Sequence, residues 1–228
     1  MEFIKFWDDE IVQGHIGAEV QMMQDYFTEN NINKIHYLDI GANVGKFYDL
    51  FIERGFEIGN VIMVEPSHDL FDYMVVKFKD TPDCQLHNLA VSDRDGVTMF
   101  ESHIETYKDR EPNDRSINLG LSKLSTTGKE VELISGKRLF ETYVEPIKDI
   151  INFVKIDTEN QDYFILESIT EYVKNMSNKP YFLIEHNYHN DMSYDRAKGI
   201  YETFMVECGY EGIDFDDLGG SVYLKPIK

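Results

Sequence analysis

The stretch Asp39-Ile40-Gly41-Ala42-Asn43-Val44-Gly45 sets an acid, an amide and two glycines close together. Gly41 and Gly45 allow the sharp bend and close ligand approach that a Cβ would prevent. The bare N–H groups of such a turn, with Asn43, can meet a carboxylate, while Asp39 can attract a cation. The spacing is G-x-x-x-G rather than the G-x-G-x-x-G that seats a pyrophosphate on a helix N-terminus, which argues against a nicotinamide or flavin dinucleotide. S-adenosylmethionine has an amine, a carboxylate and a sulfonium but no phosphate, and suits the turn better. The residues expected to hold it here are Asp39, Gly41, Ala42, Asn43 and Gly45. Glu65 lies 20 positions past Gly45, at the end of the run Val61–Glu65 and just ahead of Pro66. Ribose hydroxyls are bound at that place in such folds. Ser67 then stands where it can cap the next helix.

S-adenosylmethionine is a methyl donor, and methyl transfer needs the acceptor atom held in line with the methyl carbon and, where that acceptor carries a proton, a base to take it. Candidates follow two later apolar runs: Asp157 and Glu159 after Phe153–Ile156, and Glu185, His186 and His189 after Tyr181–Ile184. His186 titrates closest to neutral pH, whereas a carboxylate needs a raised pKa to serve well. The base stays open between His186 and the pair Asp157 and Glu159. Oxygen ligands also suit magnesium, which Asp157, Glu185 and Asn187 could offer, although no metal is expected.

The elements that must position these residues are visible in the hydrophobic pattern. Strands are expected at His36–Ile40, Val61–Glu65, Gln85–Leu89, Val97–Phe100, Val131–Ile134, Phe153–Ile156, Tyr181–Glu185, Tyr210–Asp214 and Val222–Leu224. Helical stripes recur at Phe47, Leu50 and Phe51, at Ile165, Ile169 and Val173, and at Ala197, Ile200, Tyr201, Phe204, Met205 and Cys208. Alternation of this kind predicts an α/β, doubly wound, Rossmann-like sheet, mostly parallel. The expectation is seven strands, with Ile35–Ile40 central and the last strand antiparallel, paired in a hairpin across Asp216–Gly220. Residues 1–34 are expected to form an N-terminal helical segment of a single domain spanning 1–228. The polar interval 101–129 reads as an insertion that could close over an acceptor as a lid, with Tyr107 stacking on the acceptor's apolar face.

Four ordered motifs then resemble the FkbM-type methyltransferases. These are Asp39–Gly45 (DIGANVG), Val61–Pro66, Asn88-Leu89-Ala90-Val91-Ser92-Asp93 with Gly96, and Lys155-Ile156-Asp157-Thr158-Glu159-Asn160-Gln161-Asp162. Asn160 stands where the family usually has Gly, and Asp162 where it usually has Glu. Asn is the best substitute for Gly at positive φ, and Asp keeps the charge. The resemblance implies a class I methyltransferase fold, S-adenosylmethionine as cofactor, Asn88, Ala90 and Asp157 at the cofactor site, and O-methylation of a sugar, glycan or other hydroxylated small molecule. The alternative is a module that binds the cofactor without turnover, because of the two departures.

Composition narrows the partners. With 42 acidic against 22 basic residues, the net charge of -20 is the wrong sign for binding phosphate backbones or anionic membranes. A nucleic-acid or membrane substrate is therefore not expected. Cys84 and Cys208 lack ligand or disulfide spacing, and the N-terminus has no basic-then-apolar leader, so a cytoplasmic protein is expected.

Overall fold

A computed structural model describes residues 4, 21, 23–102, 123–186, 192–212, 215 and 220–227. Asn187, His189, Tyr107 and most of the polar interval (103–122) lie outside the described residues, as do most of residues 1–22 and of the Asp216–Gly220 turn.

Five parallel strands form the centre: β1 (Lys34–Ile40), β2 (Glu57–Val64), β3 (Cys84–His87), β8 (Phe153–Ile156) and β9 (Tyr181–Glu185). β11 (Ser221–Pro226) joins β9 antiparallel, and β10 (Tyr210–Glu211) pairs antiparallel with β11. The order is β10-β11-β9-β8-β1-β2-β3, so β1 lies inside the sheet and both expectations for it and for the last strand hold.

The central strands are buried on both faces, and their pleat sorts them by parity. Ile35, Tyr37, Val61, Met63, Phe153, Tyr181, Leu183 and Tyr223 enter one core. Leu38, Ile40, Ile62, Val64, Val154, Ile156, Phe182, Ile184, Val222 and Leu224 enter the other. Alternate side chains of a strand point to opposite faces. Helix α1 (Lys46–Glu53) covers the first face with Phe47, Leu50 and Phe51, joined by the helical residues 23–29 and by Met74 of α2 (His68–Lys77). The second face is covered by α3 (Gly136–Leu139), α4 (Asp162–Lys174) and α5 (Tyr194–Cys208); the stripes predicted for α4 and α5 are buried there, Met205 only partly. Helices on both faces make the sheet doubly wound.

Two expected strands belong elsewhere. Val97–Phe100 and Val131–Ile134 lie in β5 (Gly96–Glu101) and β7 (Lys129–Ser135), which form a separate sheet with β4 (Ala90–Ser92) and β6 (Lys123–Ser125), in the order β4-β7-β5-β6. β7 pairs antiparallel with β5 and parallel with β4, and β6 pairs antiparallel with β5, so the polar interval begins and ends in paired strands. This sheet leans against the start of α2 and borders a 290 Å³ cleft lined by Ser67, His68, Phe100, Ser102, Thr127 and Lys129. Ser67 occupies the N-cap of α2, but its side chain makes no capping bond, and its Oγ meets Ser102 Oγ at 3.2 Å instead.

Candidate functional site

Parity also builds the site. Asp39, Glu65, Asp157 and Glu185 all fall at the odd positions of the four neighbouring strands β1, β2, β8 and β9 or one residue beyond them. The pleat therefore turns them toward one face of the carboxyl-terminal edge, where ligands of open α/β sheets bind.

The turn after β1 adopts the geometry its glycines suggested. Gly41, Asn43 and Gly45 have φ of 79°, 55° and 71°. The amides of Gly41 and Ala42 donate to Val64 O at 2.9 and 3.0 Å, which ties the turn to the exit of β2. The Asn43 amide donates to Glu65 Oε2 at 2.9 Å, and the Ser67 amide to Glu65 Oε1 at 2.8 Å. Burial raises the Glu65 carboxyl to about 7, against the pull of those two amides. Asn88 Nδ2 donates to Glu65 O and Pro66 O at 2.8 and 3.1 Å, so its side chain braces this exit. Ala90 is buried in the small sheet.

Asp39 does not open onto the crevice. It is fully buried, and in the β1–β8 register it sits opposite Lys155, whose Nζ lies 3.2 Å from Asp39 Oδ1. Burial raises the Asp39 pKa while Lys155 opposes the rise. Lys155 Nζ also lies 3.2 Å from Asp157 Oδ2 and donates to Gly41 O at 2.9 Å. Burial pulls this ammonium toward losing its proton, but Asp157 and Asp39 hold its pKa above the ordinary value. The sequence carried Lys155 within a motif without marking it as functional. Its signal was its place, a lysine at the odd position of a strand otherwise apolar and in register with Asp39.

The loop after β8 accommodates both departures from the family pattern. Asn160 has φ of 85° and is buried, as a glycine substitute should be at positive φ. Glu159 also has a positive φ, 53°. Asp162 opens α4 and accepts at Oδ1 from Thr158 N at 2.9 Å and Thr158 Oγ1 at 3.1 Å. Gln161 Oε1 accepts from Ser92 Oγ at 2.6 Å, which links this loop to the small sheet. Asp157, Glu159 and Glu185 offer oxygens within 4.8 Å of one another, a set that could hold a hard divalent ion. His186 follows β9, with Nδ1 2.5 Å from the buried Tyr163 hydroxyl and its ring edge-on to Phe215.

Burial, then the Asp157 charge, push Asp162 up to about 8. The unfolded chain releases this proton near pH 4, at the ordinary carboxyl value. Between there and the folded value the folded state holds the proton more tightly, so stability falls as pH rises across that window. Asp162→Asn keeps the acceptor for Thr158 and removes the buried charge. It is expected to flatten that slope, so that its stability relative to the parent rises by up to about 1.4 kcal/mol per pH unit from pH 4 toward pH 8, on top of a pH-independent cost from the new amide donors. Thermal melts from pH 4 to 9 check this, and a slope unchanged by the substitution would place the proton elsewhere.

The site also fits the cofactor suggested by the turn. Asn43 Oδ1 is buried with no hydrogen-bond partner among the described residues, an acceptor available to an ammonium. A Cβ on Gly45 would lie 2.4 Å from the Phe78 ring, so the turn has no room for a side chain there.

Residues 39–211 match the model of the Methyltransferase FkbM domain. Among solved structures, the chain is similar to methyltransferase FkbM from Methylobacillus flagellatus, with 16% identity and a TM-score of 0.49 over 85% of this chain and 44% of that one. It is also similar to Aeropyrum pernix fibrillarin in complex with natively bound S-adenosyl-L-methionine, with 13% identity and a TM-score of 0.44 over 84% of this chain and 66% of that one. The methyltransferase domain of bacterial CtHen1 gives 11% identity and a TM-score of 0.46 over 94% of this chain and 98% of that one. The chain thus spans less than half the length of the Methylobacillus protein. No curated protein matches the sequence. Because the family model covers most of the chain, from the Asp39 turn to β10, the chain belongs to the FkbM methyltransferase family, with S-adenosylmethionine as its cofactor.

Proposed function

We propose that the protein methylates a hydroxyl oxygen of a small hydroxylated acceptor such as a sugar or glycan. The supporting observation is the group Asp157, Glu159, Glu185 and His186 at the exits of β8 and β9, beside the glycine turn. In this reading Gly41, Ala42, Asn43 and Gly45 seat the amino-acid end of the cofactor and Glu65 the ribose. Held there, the cofactor would supply an electrophilic methyl carbon, with its sulfur as the leaving group that takes the electron pair of the broken C–S bond. The carboxylates hold the acceptor hydroxyl in line, and His186, Asp157 or Glu159 takes its proton.

Incubation with labelled S-adenosylmethionine and a panel of sugars, glycolipids and hydroxylated metabolites tests the proposal. Acceptor-dependent formation of S-adenosylhomocysteine with label on oxygen is expected. Label on nitrogen or carbon would overturn the oxygen assignment, and binding without turnover on any acceptor would favour a cofactor-binding module.

The Glu65 role carries its own prediction. Ribose hydroxyls donate to a carboxylate, whereas the carboxyl, at about 7, is mostly protonated below neutrality in the free protein. Binding must release that proton, so the calorimetric Kd for S-adenosylhomocysteine should rise by up to about tenfold per pH unit below that value. Glu65→Ala should weaken binding by about 2 kcal/mol and remove this dependence. A pH-independent Kd in the parent would separate Glu65 from the ribose.

A further inference from the structure

We propose that Lys155 is a positioning residue for methyl transfer, its ammonium locking the cofactor turn to the acceptor-side carboxylate Asp157; this rests on the cofactor site read above. An ammonium has three donors. Here one of them goes to Gly41 O at 2.9 Å, and two carboxylate oxygens, Asp39 Oδ1 and Asp157 Oδ2, lie at ion-pair distance, each 3.2 Å away. Asp39 and Gly41 belong to the end of strand β1 and the glycine turn that continues it, and Asp157 to the exit of β8. The ammonium also lies 5.4 Å from the centre of the Phe47 ring, on the helix that the turn feeds.

The burial is uneven in a useful way. The side chains of Asp39 and Lys155 are 0% and 6% exposed, whereas that of Asp157 is 42% exposed. One partner of the ammonium is therefore sealed in the sheet and another reaches the crevice. A shift of the turn on cofactor binding moves Gly41 O, and the ammonium carries that displacement to Asp157. Gly41 and Asp157 are already in backbone contact, since a Cβ on Gly41 would lie 1.7 Å from Asp157 O. Cofactor occupancy and the aim of the acceptor-side carboxylate are then two readings of one geometry.

The competing account gives Lys155 no task beyond neutralising Asp39. The two accounts part on replacement of the pair. A buried ion pair can often be exchanged for uncharged residues without loss of stability, whereas removing one partner leaves an uncompensated charge. Lys155→Met alone should therefore lower Tm and weaken binding. Adding Asp39→Asn should return most of the Tm. If Lys155 positions the turn, the calorimetric Kd of this double variant for S-adenosylhomocysteine stays raised by tenfold or more. In addition, the Asp157 carboxyl carbon resonance is expected to shift on cofactor addition in the parent and not in the double variant. Lys155→Arg, measured alongside, keeps the charge but cannot match three oxygens converging on one atom, and should also raise Kd by tenfold or more.

A parental Kd and a parental carbon shift in the double variant would overturn the proposal, leaving Lys155 a counter-ion for Asp39. Should the double variant fold poorly, Lys155→Arg decides: a parental Kd there overturns the proposal, and a raised Kd with parental Tm supports it. Failure of the parent itself to bind S-adenosylhomocysteine would instead refute the cofactor site, and is seen before any variant is made.

Discussion

Gly41→Ala is expected to abolish measurable cofactor binding and to destabilise the fold by at least about 3 kcal/mol. Two effects combine at this residue. Its φ of 79° is one that an L-residue with a Cβ adopts only under strain. The added carbon would also stand 1.7 Å from the carbonyl oxygen of Asp157 and 2.9 Å from its carbonyl carbon. Those atoms are backbone, so no rotamer change relieves the overlap and the exits of β1 and β8 must separate. Separation breaks the bond from the Asp157 amide to Ile40 O and the bond from Lys155 Nζ to Gly41 O. Gly55→Ala is the natural control, because Gly55 also has positive φ, 83°, yet a Cβ there would meet nothing within 4 Å. It should suffer the conformational strain alone, roughly 1–2 kcal/mol, and bind cofactor normally. Equal losses in the two variants would show that the contact with Asp157 is of no consequence.

The second large effect is expected at His186. If it takes the acceptor proton, His186→Gln should lower kcat by about 10²–10⁴-fold while the Kd for S-adenosylhomocysteine changes little. The geometry restricts which nitrogen acts. Nδ1 is engaged with the Tyr163 hydroxyl, so the proton is accepted at Nε2, and that requires Nδ1–H to donate to the tyrosine oxygen. Tyr163→Phe removes that partner and should lower kcat less than the loss of the imidazole does. A small kcat change in His186→Gln, with a large one in Asp157→Asn or Glu159→Gln, would move the base to the carboxylates.

Much of this arrangement was legible in the sequence because it is local. The Asp39–Gly45 turn, the Glu65-Pro66 exit and the positive φ at Asn160 each depend on a few consecutive residues whose backbone preferences are strong. The stripes of α1, α4 and α5 were equally plain, because helical periodicity is written along one segment. The small sheet was not legible: Ala90–Ser92 and Lys123–Ser125 are three residues each and find partners in β7 and β5, far along the chain. Lys155 escaped notice for the same reason. Its meaning comes from register with Asp39, 116 residues earlier, which no local pattern reveals. The lysine beside Asp39 went unnoticed for the same reason, since it lies on another strand.

The parity that gathers Asp39, Glu65, Asp157 and Glu185 on one face also sets what kinds of length change the gene can absorb. Insertions between strands lengthen loops and leave side-chain direction untouched. A single codon added or lost between Lys155 and Asp157 is different, because it would send those two side chains to opposite sides of the sheet while leaving composition almost unaltered. Two codons gained together would preserve the facing but slide the carboxylate along the edge by a full pleat. The chemistry of this edge is thus tied to a reading frame of its own, two residues long, and recombination that respects domain boundaries but not that frame would yield folded and inactive chains.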